Sequence, residues 1–359
     1  MKVTVITNNI DSFSGWGVYS LAIVNGLKNL GLDLRVITEK KNMRPLTGAF
    51  SFFYNIYKIK KMSSSSDVVH AFDGWPYAVY AYFAVLGTNK KFFINGVGTY
   101  SVAPMGSFVK RFFLTLAYKR AQKIFCISNY TKRRILEKIK LDNLEVILLG
   151  KPQITGTSEE IIGKYKIRYN LIEKNYPIFL TVGAVKKRKG QLYTLKAISK
   201  IIKQYPDFRY FILGSGQDKI YVDSIKQYIE EKNISDNVLF INNADEEELL
   251  FFYSIADIFL LNSINDKEHF EGFGLVFLEA ASFGLPVIGS KGCGIEDALF
   301  DGYNGYLAEQ KNSEDIYEKI IKILEGDIKK IGENSKEFAS RFSWENTVKE
   351  YYRYYKANG

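Results

Sequence analysis

The chain has 359 residues, of which 47% are hydrophobic and 25% are charged, and this size and composition predict two globular domains. No apolar run approaches the ~20 residues that cross a bilayer, and the first residues lack the pattern of a signal peptide, so we expect a cytoplasmic protein. Cys126 and Cys293 lie in different halves, each in or beside an apolar stretch. This placement favours buried thiols over a disulfide.

The positive charge is concentrated in the first half of the chain. Residues 1–150 have 21 Lys and Arg against 8 Asp and Glu, a net charge of +13, whereas residues 151–359 have a net charge of −3. Such an asymmetry indicates an anionic partner, either anionic lipid, a lipid-pyrophosphate acceptor or nucleic acid, or else a solvated basic face without a partner. With only two His and two Cys, the chain is not expected to form a metal-ligand cluster.

The first elements along the chain are a strand, a glycine-containing loop, a helix and a second strand. Residues 3–7 are apolar and β-branched, and the loop follows over 8–17. Apolar residues then recur at helical spacing up to Gly31, which fits a helix C-cap. Residues 34–38 predict the next strand. This order is typical of half of a parallel α/β sheet.

Residues 67–71 predict a further strand, and residues 108–120 predict a helix that leads to a strand from Lys123. The helix mixes cations with aromatic residues. It fits a domain helix with one buried face, and a helix on a membrane surface is the alternative. His70, near the end of the strand, fits a structural residue better than a residue that lines a cleft between domains.

A unit of the same design begins about half-way along the chain. Residues 177–182 predict a strand, 183–190 a glycine-containing loop, and 192–202 a helix before the strand over 208–213. Two units of this kind predict two Rossmann-like domains. Later segments fit the same plan, with helices over 249–256, 274–282, 316–324 and 344–355 and strands over 258–261 and 286–289.

The stretch over residues 150–160 contains a proline, a glycine and polar residues, and it predicts the linker between the two domains. We therefore expect an N-terminal domain over 1–155, a C-terminal domain over 156–340, and a closing helix over 341–359. The closing helix has an apolar face that includes Trp344, and another element must cover this face.

The segment over residues 269–281 has the most informative chemistry. Gly272 and Gly274 permit a tight turn, and the N-terminus of the helix that follows offers N–H groups and a positive dipole end to a phosphate. Glu271 precedes the turn and would face a sugar, whereas Glu279 lies further into the helix and suits ribose hydroxyls better than a diphosphate. The alternative interpretation is that one is an ordinary helix carboxylate and the other faces solvent.

Seven residues separate Glu271 from Glu279, and this spacing resembles the Glu-x7-Glu signature of the family 4 glycosyltransferases. The resemblance covers most of the chain, and its other motifs are residues 182–183 with 189–190, 214–216, 253 with 256–257, 284–290, 292–297, 301–305 and 342–344. It implies the GT-B fold, in which two Rossmann-like domains face each other across a donor/acceptor cleft. It also implies transfer from a nucleoside-diphosphate sugar with retention of configuration.

The resemblance implies a role for each matching residue. Glu271 would bind hydroxyls of the donor sugar near its reacting face, and Lys189 would neutralise the leaving diphosphate, so both are assigned as catalytic. Glu279 would bind the ribose, and the glycine loop of the first domain would close over the phosphates and the acceptor. The full set of donor-binding residues is Gly15, Gly17, Arg188, Gly214, Gly272, Phe273, Gly274, Leu275, Val276 and Glu279.

Two positions depart from the family pattern. Ala184 stands where the family commonly has an Arg, so that Lys186, Lys187 or Arg188 would have to supply the cation near the diphosphate. Val97 stands where many members have a His opposite the donor sugar. These departures motivate a second hypothesis, a non-catalytic subunit that binds nucleotide sugars. A nucleotide-sugar epimerase is a weaker alternative, against which the Glu-x7-Glu spacing and the closing helix both speak.

The sequence therefore predicts a retaining hexosyltransferase that uses neither a cofactor nor a metal ion. Its donor would be GDP-mannose or a UDP-hexose, and its acceptor would be a glycan or a lipid-linked molecule of cell-surface polysaccharide synthesis. The basic first half favours peripheral contact with the inner face of an anionic membrane, and no nucleic-acid partner is expected. An oxidoreductase is disfavoured because no Gly-x-Gly-x-x-Gly follows the first strand.

Overall fold

The computed structural model describes residues 1–11, 14–152, 156–171, 176–216 and 218–357. The chain forms two compact units, one of Met1–Gly150 with Phe342–Gly359 and the other of Lys151–Arg341. The change of unit at Gly150 falls within the stretch predicted as a linker, and residues 153–155 of that stretch lie outside the described residues.

The first unit contains a parallel sheet of six strands in the order β2-β1-β3-β4-β5-β6. The strands are β1 (Lys2–Thr7), β2 (Asp33–Thr38), β3 (Val68–Ala71), β4 (Lys91–Gly96), β5 (Lys123–Cys126) and β6 (Leu144–Val146). The helices before residue 150 are α1 (Gly15–Asn29), α2 (Glu39–Asn42), α3 (Ala49–Met62), α4 (Val79–Val85), α5 (Thr99–Val102), α6 (Phe108–Arg120) and α7 (Asn129–Leu136). The central strands are buried along nearly their whole length, because helices cover both faces of a parallel sheet.

Helix α1 begins earlier than the sequence indicated. Ser14 is its N-cap, and the Ser14 hydroxyl accepts a hydrogen bond from the N–H of Gly17 at 3.0 Å. Gly15 and Gly17 therefore belong to the first helical turn, and the prediction that they lie in a loop was wrong. A Cβ at position 17 would lie 2.2 Å from the carbonyl oxygen of Asp11, so the close approach of the preceding loop requires glycine here.

The second unit repeats the design with the strand order β12-β11-β10-β7-β8-β9, again parallel in every described pairing. The strands are β7 (Ile178–Val182), β8 (Arg209–Leu213), β9 (Val238–Ile241), β10 (Ile258–Leu261), β11 (Val287–Ser290) and β12 (Gly305–Ala308). The helices are α8 (Glu159–Arg168), α9 (Gln191–Ile198), α10 (Lys219–Glu231), α11 (Glu246–Ile255), α12 (Leu275–Ser282), α13 (Ser313–Leu324) and α14 (Ile328–Ser340). The β-branched apolar runs form the strands, as their composition predicted.

The closing helix α15 (Trp344–Lys356) belongs to the first unit. It packs against α1, where Gly26 leaves room for the Val348 side chain: a Cβ at position 26 would lie 2.6 Å from it. The hydroxyl of Thr347 donates a hydrogen bond to the carbonyl oxygen of Leu148 at 2.8 Å. These contacts cover the apolar face that the sequence left without a partner.

His70 lies within β3 and is fully buried. Its Nε2 is 2.8 Å from Oδ1 of Asn95, and its Nδ1 is hydrogen-bonded to the hydroxyl of Tyr355 on α15. Burial lowers the pKa of His70 to about 3, so the imidazole is neutral at physiological pH. The structural interpretation of His70 is therefore confirmed, and the histidine anchors the closing helix to the sheet.

Helix α6 has the predicted bounds and one buried face, formed by Leu114, Ala117 and Tyr118. Both cysteines are buried free thiols. Across the part of the chain that the structure describes, no helix is long and apolar enough to cross a bilayer. The same residues include no group of three or more His, Cys, Asp or Glu side chains placed to hold a metal ion.

Candidate active site

The candidate site lies at the carboxyl edge of the second sheet, where β7 and β10 are neighbours. After β7 the chain continues to β8 on one side, and after β10 it continues to β11 on the other side. Open α/β sheets bind ligands at the place where the strand order diverges in this way. The loop after β7 leads to Lys189, and the segment after β10 begins with Asn262 and Ser263. A Cβ at Gly190 would lie 1.9 Å from the carbonyl oxygen of Asn262, so only glycine lets the two segments meet.

A carboxylate with two cations occupies this edge. Oε2 of Glu271 accepts a hydrogen bond from Nζ of Lys189 at 2.7 Å and from Nη1 of Arg188 at 3.2 Å. The hydroxyl of Ser263 donates to the same oxygen at 3.2 Å. The side chains of Glu271 and Lys189 are each 14% exposed, so the pair is shielded from water but still reachable.

The electrostatics of the cluster follow from these contacts. Burial raises the pKa of Glu271, but the charges of Lys189 and Arg188 outweigh burial and bring it down to about 2. Partial burial, together with Arg188 and Lys189, lowers the pKa of Lys186. Three cations and one carboxylate leave a net charge of about +2, which suits a ligand with two negative charges such as a diphosphate.

The turn before α12 adds backbone N–H groups to this edge. Gly274 is the N-cap of α12 and has φ 89°, a left-handed conformation that favours glycine. The prediction that the helix includes Gly274 was therefore wrong by one residue. The N–H of Gly294 donates to the carbonyl oxygen of Glu271 at 2.8 Å, so a neighbouring segment supports the turn. The first N–H groups of a helix, here those from Leu275 and Val276, are available to an anion.

Phe273 is buried, and Gly214 lies against the loop that follows β7. Phe273, predicted to bind the donor, is only 2% exposed as a whole residue, so it packs inside the unit. A Cβ at Gly214 would lie 2.2 Å from the carbonyl oxygen of Gly183. Gly214 directly follows β8, and the carbonyl oxygen of the next residue, Ser215, accepts a hydrogen bond from the N–H of Val185 at 2.9 Å. The glycine loop after β7 and the turn after β8 are therefore adjacent, as a donor site at this edge requires.

Glu279 is positioned by a residue to which the sequence assigned no role. Its Oε2 accepts a hydrogen bond from the hydroxyl of Tyr253 on α11 at 2.7 Å. The Tyr253 ring is buried and stacks on Phe283 at 5.4 Å between ring centroids. Burial raises the pKa of Glu279, and the Tyr253 hydrogen bond partly offsets that effect. One carboxylate oxygen is thus fixed, and the other, which has no hydrogen-bond partner among the described residues, can accept hydrogen bonds from a ligand.

Two further polar groups near the edge were missed by the sequence analysis. Asn262 accepts a hydrogen bond from the hydroxyl of Thr194 at 3.1 Å, and within the described ranges its buried Nδ2 has no hydrogen-bond partner. Ser263 contacts Glu271, as described above. Their only sequence signal is that they directly follow a buried strand at the centre of the sheet.

The structure therefore brings together most of the predicted donor-binding residues in the second unit. Gly15 and Gly17 lie in the first unit, in the opening turn of α1. Ala184, the first departure from the family pattern, accepts a hydrogen bond through its carbonyl oxygen from Nε2 of Gln191 at 3.0 Å. Arg188, four residues later and one of the three predicted substitutes for the missing arginine, donates a hydrogen bond to Glu271 at 3.2 Å.

Comparisons with known proteins give the family match and the relatives of the chain. The family model described as glycosyl transferases group 1 matches residues 164–339, nearly the whole second unit. An uncharacterized glycosyltransferase of Methanocaldococcus jannaschii is 28% identical over 303 residues, which cover 83% of this chain and 78% of that protein. The D-inositol 3-phosphate glycosyltransferase of Corynebacterium urealyticum is 28% identical over 63% of this chain and 59% of its own length.

A solved structure extends the similarity to both units. HepE of Anabaena in complex with UDP and glucose has a TM-score of 0.81 and 17% identity, and the alignment covers 100% of each chain. At this identity the likeness concerns the fold. Together, the family match and the shared architecture show that residues 164–339 belong to the group 1 glycosyl transferases and that the chain has the GT-B fold.

Proposed function

We propose that the chain transfers a hexosyl group from a UDP-hexose or GDP-mannose to a glycan or lipid-linked acceptor of cell-surface polysaccharide synthesis. The transfer proceeds with retention of configuration and without a metal ion. The observation that carries this proposal is the placement of Glu271 between Lys189 and Arg188, directly before the N-terminus of α12. This arrangement offers a carboxylate to sugar hydroxyls and cations with helix N–H groups to a diphosphate.

The charge of the cluster matches the chemistry of the leaving group. In the reaction, the bond between the anomeric carbon and the diphosphate oxygen breaks, and both electrons go to that oxygen. A bond to the acceptor oxygen forms, and the acceptor proton passes to the departing phosphate. Lys189 and Arg188 stabilise the charge that develops on the diphosphate, and such preorganised groups often account for a large part of the rate enhancement.

Glu271 gives the cluster a second function in the absence of donor. With no anion bound, three neighbouring cations would repel one another, and the single carboxylate offsets part of that repulsion. When a diphosphate binds, Lys189 can contact it while Glu271 turns to the hydroxyls of the sugar. In this proposal the exchange of partners places the charged groups on the two sides of the bond that breaks.

Two comparisons support the donor and acceptor classes. The Anabaena structure contains UDP and glucose, which favours a UDP-hexose for a chain of the same fold. The name of the Corynebacterium urealyticum relative includes an anionic acceptor, D-inositol 3-phosphate. An anionic or lipid-linked acceptor also agrees with the net charge of +13 over residues 1–150.

The test is a donor screen with the purified chain. UDP-, GDP- and ADP-sugars are titrated by calorimetry, and those that bind are incubated with glycan and lipid-linked acceptors in the presence of EDTA. We expect one donor to bind and to be consumed, and NMR of the product gives the anomeric configuration. A product of inverted configuration, or a strict requirement for a divalent ion, would overturn those parts of the proposal.

The non-catalytic subunit is the second candidate, and Val97 in place of the family histidine is the observation that favours it. This alternative predicts binding of a nucleotide sugar with neither transfer nor slow hydrolysis of the donor. The variant Glu271→Gln is the matched control, because it keeps the size of the side chain and removes its charge. Release of nucleoside diphosphate by the wild type at a rate well above that of this variant would exclude the alternative.

A further inference from the structure

Six large hydrophobic side chains are exposed on two helices of the first unit. On α3, Phe50, Phe53 and Tyr57 are 74%, 64% and 65% exposed, at a spacing that places them on one side of the helix. On α6, Phe108, Val109 and Phe112 are 87%, 60% and 55% exposed. We call these six residues the aromatic face. Single exposed hydrophobic residues need no explanation, but two such groups on neighbouring helices do.

The two helices are joined by aromatic packing beneath this surface. The Phe52 ring of α3 lies 6.5 Å from the Phe113 ring of α6, between ring centroids, and both rings pack against Phe83 at 6.4 and 5.8 Å. The Trp75 ring stacks on Phe52 at 6.1 Å, and Nζ of Lys110 lies 5.4 Å from the same tryptophan. The exposed groups on α3 and α6 therefore belong to one packed assembly.

Cations accompany the aromatic face, and acids are absent from it. The guanidinium of Arg44 lies 4.0 Å from the centroid of the Tyr54 ring and 5.3 Å from that of Phe50. Sixteen Lys and Arg lie between residues 40 and 136, against two carboxylates, Asp67 and Asp73. Asp73 is fully buried, and Asp67 accepts a hydrogen bond from the backbone N–H of Lys2 at 2.7 Å.

The stability of the fold does not explain this composition. Helix α6 has Lys110 and Arg111 in its first turn and no acidic residue there, although the positive end of a helix dipole favours acids. Exposed phenylalanine gains nothing from burial in the folded chain. These side chains are unfavourable for the folded chain in water. They suit a surface that an apolar and anionic phase covers.

We propose that the aromatic face docks on an anionic lipid bilayer. Its phenylalanines enter the boundary between headgroups and acyl chains, and the lysines and arginines of α3 and α6 contact lipid phosphates. Phenylalanine on the apolar side and Lys or Arg around it is the composition of interfacial helices. This docking rests on the proposed function for the nature of the acceptor. It adds to that function the surface that would hold the enzyme beside a lipid-linked acceptor.

The test measures binding to vesicles, independently of catalysis. The purified chain is sedimented with vesicles of phosphatidylcholine alone and of phosphatidylcholine mixed with phosphatidylglycerol, at low and high salt. We expect binding to the anionic vesicles that weakens with salt, because attraction to an anionic surface is screened within about 8 Å at physiological ionic strength. The double variant Phe108→Ser/Phe112→Ser should bind about tenfold more weakly, since two exposed apolar side chains are removed.

Two further double variants separate charge from hydrophobicity. Lys110→Glu/Arg111→Glu should weaken binding to the anionic vesicles by about tenfold or more, because it changes the charge of this surface by four units. Ile167→Ser/Ile220→Ser removes equally exposed side chains, 71% and 85%, from the second unit and should bind like the wild type. Circular dichroism verifies that each variant is folded, which is expected because every substituted side chain faces solvent.

Three results would overturn the proposal. The first is equal, negligible binding to neutral and anionic vesicles, and the second is wild-type binding by the Phe108→Ser/Phe112→Ser variant. The third is self-association of the wild type without any vesicle binding, seen as a mass in sedimentation velocity that rises with concentration. If the Phe108→Ser/Phe112→Ser variant does not self-associate, the aromatic face is a protein interface instead. Calorimetry with the donor distinguishes the two proposals, since a chain that binds vesicles but no nucleotide sugar keeps the docking and loses the proposed function.

Discussion

Each unit has a carboxylate near the carboxyl edge of its sheet, Asp73 fully buried in the first and Glu271 14% exposed in the second, and the two carboxylates have opposite surroundings. In the second unit, Lys189 and Arg188 contact Glu271 and lower its pKa to about 2, against the burial that would raise it. In the first unit, burial raises the pKa of Asp73 to about 7, and hydrogen bonds from the Ser101 hydroxyl and the Gly74 N–H offset this only in part. One fold thus lowers the pKa of one carboxylate and raises the pKa of the other.

The difference shows that the residues after the strands, and not the fold, decide what each edge can bind. Around the first sheet, neutral donors dominate: Asn8 and the Tyr77 hydroxyl donate to Oε2 of Glu39 at 2.8 and 2.7 Å. Amides, hydroxyls and carboxylates of this kind suit the hydroxyl groups of a sugar. Many cations of the first unit lie instead on helices α3, α6 and α7.

The largest expected effect concerns the cations of the second unit. Lys189→Ala should lower turnover by about a hundredfold or more, because one preorganised group that faces the developing charge is lost. The exposed Lys203→Ala in the same unit is the control and should leave turnover unchanged. Steady-state rates with saturating donor measure the effect. Full activity of a folded Lys189→Ala variant would remove Lys189 from the mechanism.

The second prediction concerns Glu279. Glu279→Ala should weaken nucleotide binding by about 1–3 kcal/mol, the range for a hydrogen bond to a charged group. Tyr253→Phe should have a smaller effect, because it removes the hydroxyl that fixes the carboxylate but leaves the carboxylate in place. Calorimetry with the nucleoside diphosphate measures both, with the exposed Glu230→Ala as control. Unchanged affinity in Glu279→Ala would refute the ribose assignment.

The third prediction identifies the substitute for the family arginine that Ala184 replaces. Arg188→Ala should lower turnover by about tenfold, since Arg188 reaches Glu271 beside Lys189, and Lys186→Ala and the exposed Lys187→Ala should do less. The three variants are compared at saturating donor. If Lys186→Ala were the most harmful of the three, the supporting cation would be Lys186, and the contact of Arg188 with Glu271 would be structural.

The fold could be predicted from the sequence because its signals are local. Runs such as residues 258–261 are apolar and β-branched, and they alternate with segments of helical spacing. The start of α1 was misjudged for a local reason as well, since Gly15 and Gly17 are poor helix formers and the Ser14 cap is a weaker signal than two glycines.

The contacts of the site could not be predicted, because they join distant parts of the chain. Lys189 and Glu271 are 82 residues apart, and Tyr253 and Glu279 are 26 apart. No periodicity encodes such pairs, since they depend on the order in which parallel strands associate. The resemblance to a known family supplied Glu271, Glu279 and Lys189, but it gave no role to Tyr253.

The last prediction tests the opposite pKa shifts of Glu271 and Asp73. The folded-state pKa of Glu271 is below its ordinary value of 4.5, so its stabilising effect is present above pH 4.5 and lost as the pH falls toward 2. The pKa of Asp73 is raised from 3.8 to about 7, so stability is lost as the pH rises through that range. Urea unfolding of the wild type and of Glu271→Gln and Asp73→Asn measures both effects.

The tryptophans allow the two units to be followed separately. Trp16, Trp75 and Trp344 all belong to the first unit, so their fluorescence reports its unfolding, whereas circular dichroism reports both units. In circular dichroism, the stability advantage of the wild type over Glu271→Gln should shrink by about 3 kcal/mol as the pH falls from above 4.5 to about 2. In fluorescence, the free energy of unfolding of the wild type should fall by a similar amount relative to that of Asp73→Asn between acidic and slightly alkaline pH. Differences that stay constant with pH would show that the two carboxylates ionise alike, and the contrast between the units would then be one of packing alone.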